Sequence, residues 1–263
     1  MSFDLSGKRV LVTGASAGIG AALAEGFAER GATVGICARR ADRLADVLER
    51  CQRHAPGSRS WTVDLADLDG VTAFAAHADD ELGGIDVLVN NAGMPKRRKV
   101  TDLTLAEVDA VMALNYLSPV RLMMALVPRM VARGGGRIVN ISSVAARLSP
   151  AGEASYAASK AALTAFSECL AVELWDTPVR VHVVNPGVID TELFDLPGND
   201  PLLADIERLP ASAVTDALVE QLDGDRFETY VPAWFGDVVI SKAGNLDGFL
   251  EGSAAYMRTQ AVE

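Results

Sequence analysis

The stretch Lys8-Arg-Val-Leu-Val-Thr13-Gly14-Ala-Ser16-Ala-Gly18-Ile19-Gly20 joins a short β-branched, apolar run to a Gly-x-x-x-Gly-x-Gly turn and then to an amphipathic pattern over 18–30. This predicts strand, tight turn, helix. Gly14 permits the sharp turn, Gly18 leaves the backbone bare at a helix N-terminus, and Gly20 lets the helix pack closely on the strand. Alone, such a turn is equally an ordinary strand-to-helix connection.

The same alternation continues outward. Runs rich in Val and Ile at 8–13, 33–38, 59–63, 85–90, 137–141, 179–184 and 226–231 read as seven strands. Helical patterns lie near 18–30, 41–53, 67–82, 104–132, 152–175 and 211–222. Thr104 and Glu107 form a capping box, and Gly31, Gly83-Gly84 and Gly134-Gly135-Gly136 mark helix ends. Strands apolar along most of their length need both faces covered. The expectation is therefore an α/β single domain over 1–263, a doubly wound seven-stranded parallel sheet with helices on both faces. Ligands of such sheets sit at the carboxyl ends of the strands. The Pro- and Gly-bearing segment 190–212 reads as an excursion over that edge, and 232–263 as a C-terminal extension of undetermined role with an exposed-looking Trp234-Phe235 pair.

With 24 basic against 35 acidic residues, the formal charge of −11 disfavours a nucleic-acid partner. The basic run Lys96-Arg97-Arg98-Lys99 reads as a solvated loop without a functional role. Cys37, Cys51 and Cys169 form no CxxC pair, and no Cys/His spacing suits a metal. Reduced thiols and a start without a signal-peptide pattern suggest a cytoplasmic setting. No apolar run is read as approaching the roughly 18 residues of a spanning helix.

At the strand ends, the residue types suit a dinucleotide. The bare turn at Gly18, on the positive end of a helix, is where a pyrophosphate binds. The second strand ends Cys37-Ala38-Arg39-Arg40, with no acid to receive a ribose 2′-hydroxyl and two guanidiniums able to grip a 2′-phosphate, so NADP(H) is favoured over NAD(H). Asp64 is either an acceptor for an adenine amino group or the N-cap of the next helix. Asn90-Asn91-Ala92-Gly93 is either a polar junction beside a flat ligand or a plain Asn-rich turn.

At the reacting end, Tyr156 and Lys160 stand one helical turn apart on one face. An ammonium there is expected to favour the phenolate and supply part of a lowering of the phenol pKa, the positive charge of an oxidised nicotinamide supplying the rest. Ser142-Ser143 brings a hydroxyl to the sheet edge. Asn115, in the long helical pattern 104–132, is unfavourable in a helix interior and marks a candidate break.

Together, Thr13-Gly14-x-x-x-Gly18-x-Gly20, Asn90-Asn91-Ala92-Gly93, Asn115, Ser143, Tyr156-x-x-x-Lys160 and Pro186-Gly187 stand in the order of the short-chain dehydrogenase/reductase family, which this chain resembles over about residues 5 to 191. The resemblance implies a Rossmann-type sheet and an oxidoreductase moving a hydride between a nicotinamide and an alcohol or carbonyl carbon. Tyr156 would be the acid/base, Ser143 the ligand of the substrate oxygen, Lys160 a donor to the nicotinamide ribose, and Asn115 the holder of a relay water. Further cofactor contacts would fall on Gly14, Ser16, Gly18, Ile19, Gly20, Asp64, Leu65, Pro186, Gly187 and Thr191, with Arg39 and Arg40 as phosphate readers. Family members often carry a basic residue where this chain has Ala17, so the NADP(H) expectation rests on the two arginines.

Met94, Val144, Leu148, Leu193, Phe194 and Leu196 would give an apolar small-molecule pocket. The helix 152–175 is apolar on more than one face, which suggests a homodimer or homotetramer. The alternatives are an NAD(H)-dependent alcohol dehydrogenase of the same fold and a dinucleotide-binding regulatory protein without activity.

Overall fold

A computed structural model describes residues 3–201 and 207–260; parts of the predicted 190–212 excursion and of the 232–263 extension lie outside them. The strands are β1 (Arg9–Thr13), β2 (Thr33–Ala38), β3 (Arg59–Thr62), β4 (Val87–Asn90), β5 (Gly136–Ile141), β6 (Val179–Pro186) and β7 (Glu228–Val231). They form one sheet in the order β3-β2-β1-β4-β5-β6-β7, and every pairing is parallel. The chain thus winds outward in one direction from β1 and then in the other from β4, leaving a crevice at the β1/β4 carboxyl ends.

The helices are α1 (Gly18–Glu29), α2 (Ala41–Gln52), α3 (Leu68–Leu82), α4 (Leu105–Met112), α5 (Ser118–Ala132), α6 (Ala145–Leu148), α7 (Ala154–Glu173), α8 (Ser212–Asp223), α9 (Phe235–Gly244) and α10 (Leu246–Gln260). Successive side chains of a strand point to opposite faces, and β1 shows the result. Val10 and Val12 join a core under α1, α2 and α8, while Leu11 joins a second core under α3, α5 and α7. This two-sided burial is why these strands read as nearly continuous apolar runs.

The predicted helix 104–132 is interrupted by a π-helical turn at Ala113–Leu117, and Asn115 sits within it. The capping box at its start is present, with Glu107 N–H donating to the Thr104 hydroxyl and Thr104 N–H to the Glu107 carboxylate. Leu105–Ala132 is long and apolar enough to cross a membrane by length and composition, which the reading of the sequence missed. Its residues Leu122, Met123, Leu126 and Met130 are buried under the sheet, and a core helix passes the same test.

Two further expectations fail. The basic run is not a solvated loop, because Lys96 and Arg97 are buried. Of the Trp234-Phe235 pair, which stacks at 3.9 Å between ring centroids, only Trp234 is exposed. Phe235 packs over Gly187, where a Cβ would lie 2.4 Å from its ring.

A polar clasp fixes α3 to α5. The buried Asp79 carboxylate accepts from Ile85 N–H (2.7 Å), Arg129 (2.9 Å) and Arg133 (2.8 Å). Burial alone would raise its pKa, but the two guanidiniums and the Ile85 N–H outweigh it and hold the carboxyl below its usual value. Stability from this group is therefore present above the ordinary carboxylate range and is lost as pH falls into acid. Asp79→Ala leaves the buried Ile85 N–H without an acceptor. We expect a loss of about 2 kcal/mol in urea denaturation at neutral pH, with the difference from the parent shrinking in acid. An unchanged midpoint would remove the clasp from the account.

Candidate functional site

One cavity of about 1270 Å³ runs along the carboxyl edge of the sheet. Its wall takes in the turn after β1 (Gly14, Ser16, Gly18, Ile19, Gly20), the end of β2 (Arg39, Arg40), the segment after β3 (Asp64, Leu65) and the segment after β4 (Asn91, Ala92, Gly93). At its other end it is lined by Ser143, Tyr156, Lys160, Pro186, Gly187 and Thr191. The six apolar wall residues named from the sequence, Met94, Val144, Leu148, Leu193, Phe194 and Leu196, all line it as well.

The glycine turn is built by close approach. Gly14 has φ +67°, and a Cβ there would lie 2.7 Å from Ala92 Cα; at Gly20 it would lie 2.5 Å from the Asn91 side-chain nitrogen. The Asn91 amide donates to the Thr13 carbonyl (2.9 Å), and the Thr13 hydroxyl accepts from Asn91 N–H and Ala92 N–H, each at 3.0 Å. α1 begins at this turn without a side-chain cap and with no acid in its first turn, so its first N–H groups keep their capacity for an anion. A bare helix N-terminus at one end of a continuous cavity and a phenol at the other suit a dinucleotide.

Asn90 and Asn115 lie behind the cavity wall. Asn90 is buried between strands, where its amide donates to Asn140, which in turn donates to Ser167, both at 2.8 Å. Asn90 thus makes a polar junction between strands and is not among the residues that line the cavity. The Asn115 amide accepts from Met94 N–H (2.9 Å) and donates to Met94 O (3.0 Å) and the Ser159 hydroxyl (3.1 Å), and Ser159 donates to the carbonyl of Tyr156 (2.7 Å). The π turn thus ties the Met94 segment to the helical turn that carries the phenol. Thr13, Asn140 and Ser159 escaped sequence reasoning, because Ser, Thr and Asn in apolar runs give no local sign of their partners.

Tyr156 and Lys160 face the cavity from α7, with the ammonium 5.9 Å from the Tyr156 ring centroid. Lys160 is buried and donates to Ile141 O at 2.8 Å. Without a nicotinamide in the cavity, burial pushes Tyr156 up to about 12, the Glu153 carboxylate adds to the rise, and Ser143 and Arg97 oppose it. Burial likewise lowers Lys160 to about 8. Desolvation of the charged form is the leading cause for both groups. Ser143 is held by Ala145 N–H, which donates to its hydroxyl at 3.1 Å.

At the adenosine end, the second strand brings no acid, but the fold brings two from elsewhere. The Arg40 guanidinium donates to the Ser16 hydroxyl (3.2 and 3.0 Å) and pairs with Glu192, which also pairs with Arg43. Those two arginines hold the Glu192 carboxyl below its usual range. Arg39 is exposed and lies 3.9 Å from Asp64. The N-cap of α3 is Asp67, so the capping alternative for Asp64 is excluded; its carboxylate accepts from Ala66 N–H at 2.9 Å.

The basic run holds down the segment after β6. Lys96 donates to Gly198 O (3.0 Å), Arg97 to Asp200 O (2.9 Å) and Phe194 O, and Arg98 to Gly198 O (3.3 Å). Lys96 and Arg98 also pair with Glu107 at 2.6 and 2.9 Å. These partners lie about a hundred residues away in sequence, so nothing local announces them. α9 and α10 were likewise not foreseen, and α10 lines the cavity.

A family model described as short chain dehydrogenase matches residues 8–199. A fatty acyl-CoA reductase of Mycobacterium tuberculosis is 40% identical over 204 residues, covering 73% of this chain and 68% of that protein. The chain spans about 58% to 68% of the length of the first curated relatives it matches. Among solved structures, a short-chain dehydrogenase of Sphingobium yanoikuyae in complex with NADPH superposes with a TM-score of 0.81 at 30% identity, covering 94% of this chain and 95% of that one. A short-chain dehydrogenase/reductase of Burkholderia phymatum in complex with NAD superposes with a TM-score of 0.84 at 22% identity over 93% of this chain and 96% of that one, a likeness of fold.

Proposed function

The chain belongs to the short-chain dehydrogenase family, and from that premise we propose that it is an NADP(H)-dependent oxidoreductase that interconverts an apolar carbonyl compound and its alcohol. One observation carries the reading. Ser143, Tyr156 and Lys160 line the far end of the cavity that starts at the uncapped N-terminus of α1. A bound nicotinamide supplies the hydride donor or acceptor.

The residues' own work follows from their state. Tyr156, with a pKa pushed up to about 12, holds a proton at neutral pH and gives it to the substrate oxygen as that oxygen gains charge. Ser143, on the same cavity wall as Tyr156, fixes the oxygen at the phenol. Lys160, anchored on Ile141 O, presents an ammonium to a ribose hydroxyl and to the phenolate that remains. Asn115, Met94 and Ser159 keep the turn carrying Tyr156 in place. The mycobacterial relative's name and the apolar lining agree on an apolar substrate.

Tyr156→Phe should lower carbonyl reduction by about a thousandfold or more while NADPH still binds in a calorimetric titration; retained turnover would end the assignment. Glu153→Gln removes the negative charge beside the phenol. Its pKa should then fall, and the pH at which reduction declines should move down.

For the cofactor, Arg40 on Ser16 is the proposed 2′-phosphate grip, with Arg39 beside it. Glu192 favours a second reading, NAD(H) use, since a carboxylate already occupies Arg40. Calorimetry with both reduced cofactors separates the two readings. Under NADP(H) preference, Arg40→Ala weakens NADPH by about tenfold or more with little effect on NADH, and Glu192→Gln tightens NADPH. If the parent binds NADH more tightly and Arg40→Ala changes neither, the NAD(H) reading stands.

We also infer self-association. Val172 and Trp175 at the end of α7 and Met124 on α5 are exposed by 74%, 75% and 68%, more apolar surface than a lone subunit needs to present. Light scattering on the eluting protein should give a dimer or tetramer; a monomer at micromolar concentration overturns this.

A further inference from the structure

α10 lies along the open side of the cavity. Gly248, Phe249, Gly252, Ser253, Tyr256 and Met257 line the same space as Tyr156 and Ser143. These positions repeat as adjacent pairs every four residues, which is one stripe of a helix. The stripe belongs to a helix with no buried residue among those described, so the site and not the protein core accounts for its apolar face. Its base is held by side-chain contacts. Gly248 N–H donates to the Asn245 side chain at 3.0 Å, and Lys242 lies 5.5 Å from the Phe249 ring centroid while donating to Arg147 O at 2.6 Å. Leu148, Phe194 and Leu196 line the same cavity.

On this stripe Gly252 is a notch. Phe249 stands three residues before it and Tyr256 four after, both on the same stripe. A Cβ built at Gly252 has no neighbouring atom within 4 Å. Among the described residues nothing fills the space, so packing against them does not require the absence of a side chain there. A notch between two rings, opening into a cavity that Leu and Phe also line, fits the cross-section of a methylene chain and offers it dispersion contacts along the helix.

We propose that α10 is the distal wall of the substrate site and that the substrate is a carbonyl compound carrying an extended alkyl chain, which lies in the Gly252 notch. This rests on the oxidoreductase reading above and adds the shape of the substrate to it. Each methylene withdrawn from water favours binding, so kcat/KM should climb with chain length until the notch is filled.

The test uses Gly252→Leu in the full chain. A Cβ there meets no atom of the described residues, and leucine replaces a weak helix former, so thermal melting followed by circular dichroism should be unimpaired. Butanal and dodecanal are then reduced with NADPH. For the parent, dodecanal should exceed butanal in kcat/KM by about tenfold or more, and in Gly252→Leu that ratio should collapse by about tenfold or more. A parent that gains nothing from the longer chain, or a variant with the ratio intact, overturns the proposal. Binding of dodecanol to the protein mixed with NADP⁺, measured by calorimetry, keeps this separate from the catalytic reading. If neither aldehyde turns over but dodecanol binds the parent and not Gly252→Leu, the wall stands and the catalytic reading fails. If dodecanol binds neither protein, or both alike, the wall fails.

Discussion

Where β1 and β4 lie side by side, the Asn91 amide reaches the Thr13 carbonyl and the Thr13 hydroxyl receives two N–H groups from Asn91 and Ala92. This is the place at which the strand order changes direction. With only parallel neighbours, neither strand end has a further ladder partner for these groups, and side chains supply it. The closeness this imposes is what excludes a Cβ at Gly14 and Gly20. The mouth of the cavity, the bare start of α1 and the seat of Gly93 beside Asn115 all inherit their positions from this tie.

A second constraint acts at the other end of the cavity, where ionisable groups are placed in a poorly solvated wall. Tyr156 and Lys160 each shift toward the neutral form, the phenol upward and the ammonium downward. Spacing alone shows that phenol and ammonium share one side of α7, as they do, but not the cost of removing each from water, which leads in the cofactor-free site. Glu153 compounds it, because a carboxylate one helical turn before the phenol opposes its ionisation.

What the sequence disclosed follows the range of the interactions involved. The seven strands and the helices over 18–30, 41–53 and 67–82 are written in local hydrophobic periodicity, and the structure moves their ends by only one or two residues. Asn115 was visible as an interruption for the same reason, and the π turn is that interruption. By contrast, Lys96 and Arg97 looked solvated because their acceptors are carbonyls about a hundred residues away. Arg40 looked unopposed because Glu192 arrives from beyond β6, 152 residues later. α10 was illegible because two of the positions on its cavity-lining stripe are Gly248 and Gly252, which leave the apolar pattern too sparse to read as a helix packed on a core.

The segment after β6 is gripped at two places by different physics. At the substrate end Arg97 is buried and spends its donors on backbone carbonyls of that segment, so removing those contacts would strand polar groups out of water. At the cofactor end Glu192 holds Arg40 and Arg43 across a half-exposed surface, where water and any competing anion can replace it with little loss. The Thr191 methyl beside it comes within 2.9 Å of where a Gly18 side chain would start, so the segment closes directly over the helix N-terminus. The segment therefore has one attachment that is buried and bonded to backbone carbonyls and another that is half-exposed and ionic.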